Sequence, residues 1–185
     1  MTASSWITSA EIAIANVTTH LLGFNEPDQP GQCNISVAAA VAGHKSFMDP
    51  LEGKALLGSP CITNNPSPKG ITYLTNFLKE CDGGWDVDFL CTHWYGAPGN
   101  EVWNFHKQVN VTIALAQKYG IDEGYVTKFG LTSATVDQKV AFVEEVLPWL
   151  DANPNVGGYA YFLDSDGSLL EGSELNALGT AYANA

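Results

Sequence analysis

Residues 21–30 read LLGFNEPDQP. The apolar run 21–24 stops abruptly at an amide, a carboxylate, a proline and a second carboxylate. Asn, Pro and Asp each favour turns for their own backbone reasons, so Asn25-Glu26-Pro27-Asp28 reads first as a reversal of the chain. The alternative is a buried strand that delivers Glu26 to a ligand site. Parallel strands in α/β folds carry their binding groups at their C-terminal ends, where this quartet stands. The rest of the chain has to decide between the two.

The pattern recurs along the sequence. Short apolar runs at 20–24, 55–61, 87–93, 124–129 and 156–162 are bounded by Gly, Pro, Asn or Asp, as buried parallel strands should be. Helical segments alternate with them at 36–48, 69–81, 102–119, 136–150 and 174–183, and a further amphipathic segment precedes them at 9–17. Thr135 and Ser173 are placed as N-caps and Gly120 as a C-terminal stop. About five β–α units imply an α/β fold with a parallel sheet and helices outside it, over residues 1–185 as a single domain. The unusual residues then fall together, at the ends of successive strands: Asn25-Glu26-Pro27-Asp28, THWYG at 92–96, YVTKFG at 125–130 and YAYFLDSDG at 159–167.

Composition narrows the function classes. A net charge of −12 argues against nucleic acid, whose phosphates need Lys and Arg, and against an anionic membrane. No apolar run reaches the roughly 18–20 residues of a membrane span, and no secretory leader is visible at the N-terminus. Three Asn-x-Ser/Thr sequons begin at Asn16, Asn34 and Asn110, and Cys33, Cys61, Cys81 and Cys91 fit no C-x-x-C metal spacing. Together these point to a secreted glycoprotein with up to two disulfides, in any of three pairings. No phosphate loop, dinucleotide fingerprint or zinc motif appears, so neither a cofactor nor a metal is expected. His20, His44 and His106 show no metal spacing. Trp149 reads as helix packing; Trp85 and Trp103 fit a cleft or a core equally well.

The segments LLGFNEPD, LLGSPCITN, VDFLCTHWYG, YVTKFG and GYAYFLD, in order over most of 18–165, resemble successive strand ends of glycoside hydrolase family 128, the fungal β-1,3-glucanases related to alkali-sensitive-linkage cell-wall proteins. The resemblance implies a TIM-barrel scaffold with retaining chemistry, of which this chain would supply a partial (β/α)8 barrel: five parallel strands corresponding to strands 4–8, without the first three β/α units. It places the acid/base at Glu26 and a hydroxyl-positioning amide at Asn25. His93, Trp94 and Tyr95 would form an aromatic wall, with Tyr159, Tyr161 and Phe162 on the last strand.

One position departs from the pattern. The family places its nucleophilic Glu where this chain has Lys128. A retaining glycosidase needs two carboxyl groups about 5–5.5 Å apart, and an ammonium cannot form the glycosyl ester. Beside Glu26 it would pair with the carboxylate instead and hold it ionised, which makes a poor general acid. Asp164 and Asp166 read as a turn rather than a replacement nucleophile, and their spacing fails a calcium loop. The expectation is therefore a β-1,3-glucan-binding, lectin-like protein of the cell wall or extracellular space. The alternatives are a working or residual glucanase and a structural or defence protein with a vestigial pocket. A partial barrel also leaves open sheet edges, and hence possible homo-oligomers that complete it.

Overall fold

The structure, a computed structural model, describes residues 3–81, 84 and 86–185. Five strands form one parallel sheet in the order β1-β2-β3-β4-β5: His20–Leu21, Leu56–Ile62, Phe89–Gly96, Glu123–Leu131 and Val156–Tyr161. The sheet curls into half of a barrel. Helices α1 (Ala3–Ala15), α2 (Val37–Phe47), α3 (Ile71–Cys81), α4 (Glu101–Lys118), α5 (Val136–Asp151) and α6 (Ala177–Asn184) complete the α/β order expected from the sequence. Among the described residues no helix is long and apolar enough to cross a membrane.

The helices pack on the outer face, in three apolar clusters. Trp94, Phe105, Val126, Phe129 and Phe142 join β3 and β4 to α4 and α5. Ile62, Leu74, Phe77 and Leu90 join β2 and β3 to α3. Leu21, Leu51 and Leu57 lie under α1. In β3, Leu90 and Trp94 share this face, as the pleat requires, while register shifts between β2 and β3, β3 and β4, and β4 and β5 break strict alternation. Burying a side chain of this size stabilises the fold by about 1.5–3 kcal/mol, so most of the stability resides on this face.

Several boundaries differ from the reading of the sequence: α1 runs over Ala3–Ala15 and not 9–17, and β3 over Phe89–Gly96 and not 87–93; two further differences have a visible cause. The first strand is regular only over His20–Leu21, yet the chain follows β2 further: Cys61 N donates to Phe24 O at 2.9 Å, and Glu26 N donates to Cys61 O at 2.8 Å. Gly23 makes this close approach possible, because a Cβ there would lie 2.7 Å from Ser59 O. The last helix begins at Asn176, not Ser173. Glu174–Leu175 (β7) pairs antiparallel with Leu170–Glu171 (β6), and the Asn176 side chain accepts from Gly179 N at 2.9 Å. Thr135 caps α5 as expected, in a reciprocal capping box with Gln138.

Candidate active site

The inner face of the sheet is arranged in layers. At the N-terminal end the Phe89 and Tyr125 rings pack at a tilt of 47° with centroids 4.4 Å apart, and Tyr125 Oη lies 3.0 Å from His20 Nε2. In the middle, Cys61 and Cys91 are direct register partners on β2 and β3 and are joined by a disulfide. At the C-terminal end stand Glu26, His93 and Lys128.

A β-bulge creates this last layer. Thr92 pairs with Val126 but His93 pairs with Lys128, so Thr127 is an extra residue in β4. A bulge re-aims the side chains beside it. Here both Thr127 and Lys128 face inward, and Phe129 returns to the outer cluster. Strict alternation would have sent Lys128 outward with the helices.

Glu26 is buried and holds a left-handed backbone, φ +44°. A non-glycine residue there is strained by on the order of 1 kcal/mol and persists only where its surroundings fix it. The fixing groups are visible on both sides of it. Its own N–H donates to Cys61 O. Two residues on, the buried Asp28 carboxylate accepts from Thr63 Oγ1 at 2.6 Å, Gly70 N at 2.7 Å and Thr63 N at 3.2 Å. Asp28, which the sequence presents as a turn residue, is the clamp between this loop and the one after β2. Gly70 has φ +56° and sits where a Cβ would meet Asn65 O at 2.3 Å, so the clamp depends on a glycine.

The closest side-chain partner of Glu26 is His93, with Nδ1 2.7 Å from Oε1. Lys128 Nζ is 3.9 Å from the same oxygen and hydrogen-bonds Asn25 Oδ1. The ion pair expected between Glu26 and Lys128 is therefore present but loose, and Lys128 is shared with the amide. Asn25 Nδ2 donates in turn to Gln32 Oε1 at 3.0 Å. His93 Nε2 lies 3.0 Å from Thr127 Oγ1, which is 2.9 Å from Cys91 Sγ. Disulfide sulfurs carry no proton, so Thr127 donates to a sulfur or to the ring. Two arrangements satisfy the chain of contacts. In one, His93 Nδ1–H donates to an ionised Glu26 and Thr127 O–H donates to Nε2. In the other, a protonated Glu26 donates to Nδ1, and Nε2–H donates to Thr127. Burial holds the His93 pKa below its ordinary value, against the raising effect of the Glu26 bond.

The aromatic residues divide. Tyr95 faces the site, and Phe162 meets it edge-on with centroids 5.5 Å apart. Burial, with Glu26 nearby, pushes the Tyr95 phenol up, so it stays a neutral donor. Trp94 does not line the site: it is buried on the outer face, 5.4 Å from both Phe105 and Phe142. Tyr159 and Tyr161 also turn to the outer face. Tyr159 Oη donates to Asp151 Oδ1 at 2.7 Å, and Tyr161 packs on Phe129 at 5.4 Å. Trp94 stands between His93 and Tyr95 in β3, and neighbours in a strand point to opposite faces, so the three cannot all line one wall; Tyr159 and Tyr161, two apart in β5, share the outer face. Asp166 accepts from Gly172 N at 2.9 Å within the 165–172 turn, as a turn residue should. Cys33 and Cys81 carry free thiols, so one disulfide forms among the described residues, where up to two were expected. Trp85 lies outside the described residues. Trp103 is 62% exposed on α4.

The sequence matches the family described as Glycosyl hydrolase catalytic core over residues 1–182. No curated protein matches it. Among solved structures, the chain is similar to a curdlan-specific exo-β-1,3-glucanase of GH128 subgroup III from Blastomyces gilchristii, in complex with glucose. Identity is 42% over 98% of this chain and 77% of that one, with a TM-score of 0.93. A GH128 subgroup I endo-β-1,3-glucanase from Amycolatopsis mediterranei, in complex with laminaritriose, matches at 26% identity over 89% of this chain and 71% of that one, TM-score 0.74. The subgroup IV endo-β-1,3-glucanase of Lentinula edodes shares the fold at 20% identity over 91% of this chain and 70% of that one, TM-score 0.74.

Proposed function

We propose that this chain, which belongs to glycoside hydrolase family 128 within the glycosyl hydrolase catalytic cores, binds β-1,3-glucan and does not hydrolyse it by the retaining route. The observation that carries the reading is Lys128. It occupies the position where the family resemblance expects the nucleophile, and its ammonium reaches Asn25 and Glu26 from the inner face. Retention needs a second carboxylate about 5–5.5 Å from the acid/base to form and release the glycosyl ester. The other carboxylate close in sequence, Asp28, is consumed by Thr63 and Gly70. Asn25, Glu26 and Lys128 remain as hydrogen-bonding groups for sugar hydroxyls, and Tyr95 and Phe162 offer ring surface for stacking. The reading extends to a secreted protein, and to self-association through the open edges β1 and β5, which light scattering at micromolar concentration tests; a stable monomer rejects that part.

Calorimetry with laminari-oligosaccharides should show binding, while a reducing-sugar assay on laminarin shows no release. Sugar release that Glu26→Gln abolishes would overturn the proposal. Lys128→Glu should bring measurable hydrolysis, because it supplies the missing carboxylate on the same inward-facing position.

A further inference from the structure

Beneath Glu26 lies a group of side chains to which the proposed function assigns no contact with sugar. Cys61, Cys91 and His93 are all buried, and their sulfurs and one imidazole nitrogen lie within 4.8 Å of one another. The two cysteines are direct partners across β2 and β3, with Cα atoms 4.5 Å apart. His93 points one nitrogen at the Glu26 carboxylate, 2.7 Å away, and the other toward the sulfurs through Thr127. Metal-bound histidines have this arrangement: a carboxylate holds the distal N–H, fixes the tautomer and aims the remaining lone pair at the ion. Two thiolates and one imidazole are a zinc ligand set with a fourth position left over. Thr127 Oγ1, 2.9 Å from Cys91 Sγ and 3.7 Å from Cys61 Sγ, is placed to bond a thiolate or to sit beside that fourth position.

We propose that Cys61, Cys91 and His93 form a redox-gated site for a thiophilic divalent ion of the zinc class, closed while the disulfide stands and opened when it is reduced. With a water-soluble phosphine as reductant, the S–S bond breaks and phosphorus is oxidised to the phosphine oxide. Water supplies the oxygen and the two protons that the cysteine sulfurs take up. The ion then binds both sulfurs and the His93 nitrogen, and two thiol protons leave to the buffer. The tetrahedral site places its sulfurs about 3.8 Å apart, a separation that rotation of two cysteine side chains on neighbouring strands can reach without moving the backbone. The site draws on two strands that the disulfide already holds in register, so the ion and the disulfide are alternative links between the same residues.

The full chain carrying Cys33→Ser and Cys81→Ser is reduced with the phosphine under inert gas and titrated with cadmium. Binding is read from the thiolate-to-metal charge-transfer band, and zinc affinity from competition with a coloured chelator. The expected result is one ion per reduced chain and none per oxidised chain. Cys61→Ser should weaken binding at least about 100-fold and Glu26→Gln about 10-fold, the size of other outer-shell effects. Should Cys61→Ser fail to fold, alkylation of the parent chain decides: bound ion should protect Cys61 and Cys91 from iodoacetamide, read by mass spectrometry. No charge-transfer band after reduction, affinity unchanged by Cys61→Ser, or equal alkylation with and without the ion would each overturn the proposal. So would a reduced chain that unfolds and does not refold when the ion is added.

Discussion

The outer and inner faces of the sheet are built from the same strands by different rules. The outer face is mainly hydrocarbon: Phe105 meets Trp94, Phe129 and Phe142 at centroid distances of 5.2–5.5 Å and is completely buried. The inner face is a stack of unlike layers, from a Phe–Tyr–His group through a disulfide to a Glu–His–Lys group. Burial of area holds the first together, while the second depends on which polar atom faces which. The contrast teaches that the stability of this protein and its chemistry are carried on opposite sides of one sheet, and substitutions should separate them.

The sharpest separation is Phe105→Ala, which should cost about 3–5 kcal/mol in denaturant unfolding through the cavity it leaves. If it cost less than a substitution on the inner face, the division between the faces would fail. Asp28→Ala comes next. It strips the Thr63 and Gly70 amides of their acceptor and should cost about 1–3 kcal/mol, while also weakening glucan binding because the Glu26 loop is released. His44 tests the outer face by pH. Burial lowers its pKa, against the raising effects of the Asp86 carbonyl and of Asp49. The folded protein therefore resists protonating it, while the unfolded chain binds a proton near pH 6.5. This contribution is fully present above that pH and is lost as pH falls toward the lower folded value, with a slope of at most about 1.4 kcal/mol per pH unit. Denaturant midpoints at two pH values should show the slope, and His44→Gln should flatten it. On the inner face, Glu26→Gln should leave unfolding within about 1 kcal/mol of the parent while calorimetry finds glucan binding lost. Trp103→Ala, on the solvent side of α4, should change stability by less than about 0.5 kcal/mol.

The two faces were not equally legible in the sequence. Strand and helix positions, the capping box at Thr135 and the Gly120 stop follow from local chemistry and hydrophobic period, which is the language of the outer face. Glu26, Asn25, His93 and Lys128 stand at strand ends, but their roles come from the family resemblance; the structure brings them together. Trp94, Tyr159 and Tyr161 were misplaced because an aromatic run records composition and not which face each ring takes. Thr127 went unnoticed because a bulge leaves no period behind. The grouping of Cys61 with Cys91 and His93 was hidden for a plainer reason: the two cysteines are 30 residues apart in sequence and meet only through strand register. Asp28 looked like a turn residue because its partners, Thr63 and Gly70, come from another loop.

The extra residue at Thr127 has a consequence for how such a molecule can change. Because the bulge turns position 128 inward by backbone geometry alone, the side chain there can be exchanged without renegotiating the strand pairing around it. The scaffold treats that position as an interchangeable part. Deleting Thr127 would remove the bulge and restore strict alternation, leaving Lys128 inward opposite His93 and Phe129 outward, but it would take away the hydroxyl that stands between His93 and the sulfurs. Substitution at 128 alters the chemistry of the layer and spares its architecture, whereas an added residue beside the bulge would turn Phe129 inward and disrupt both.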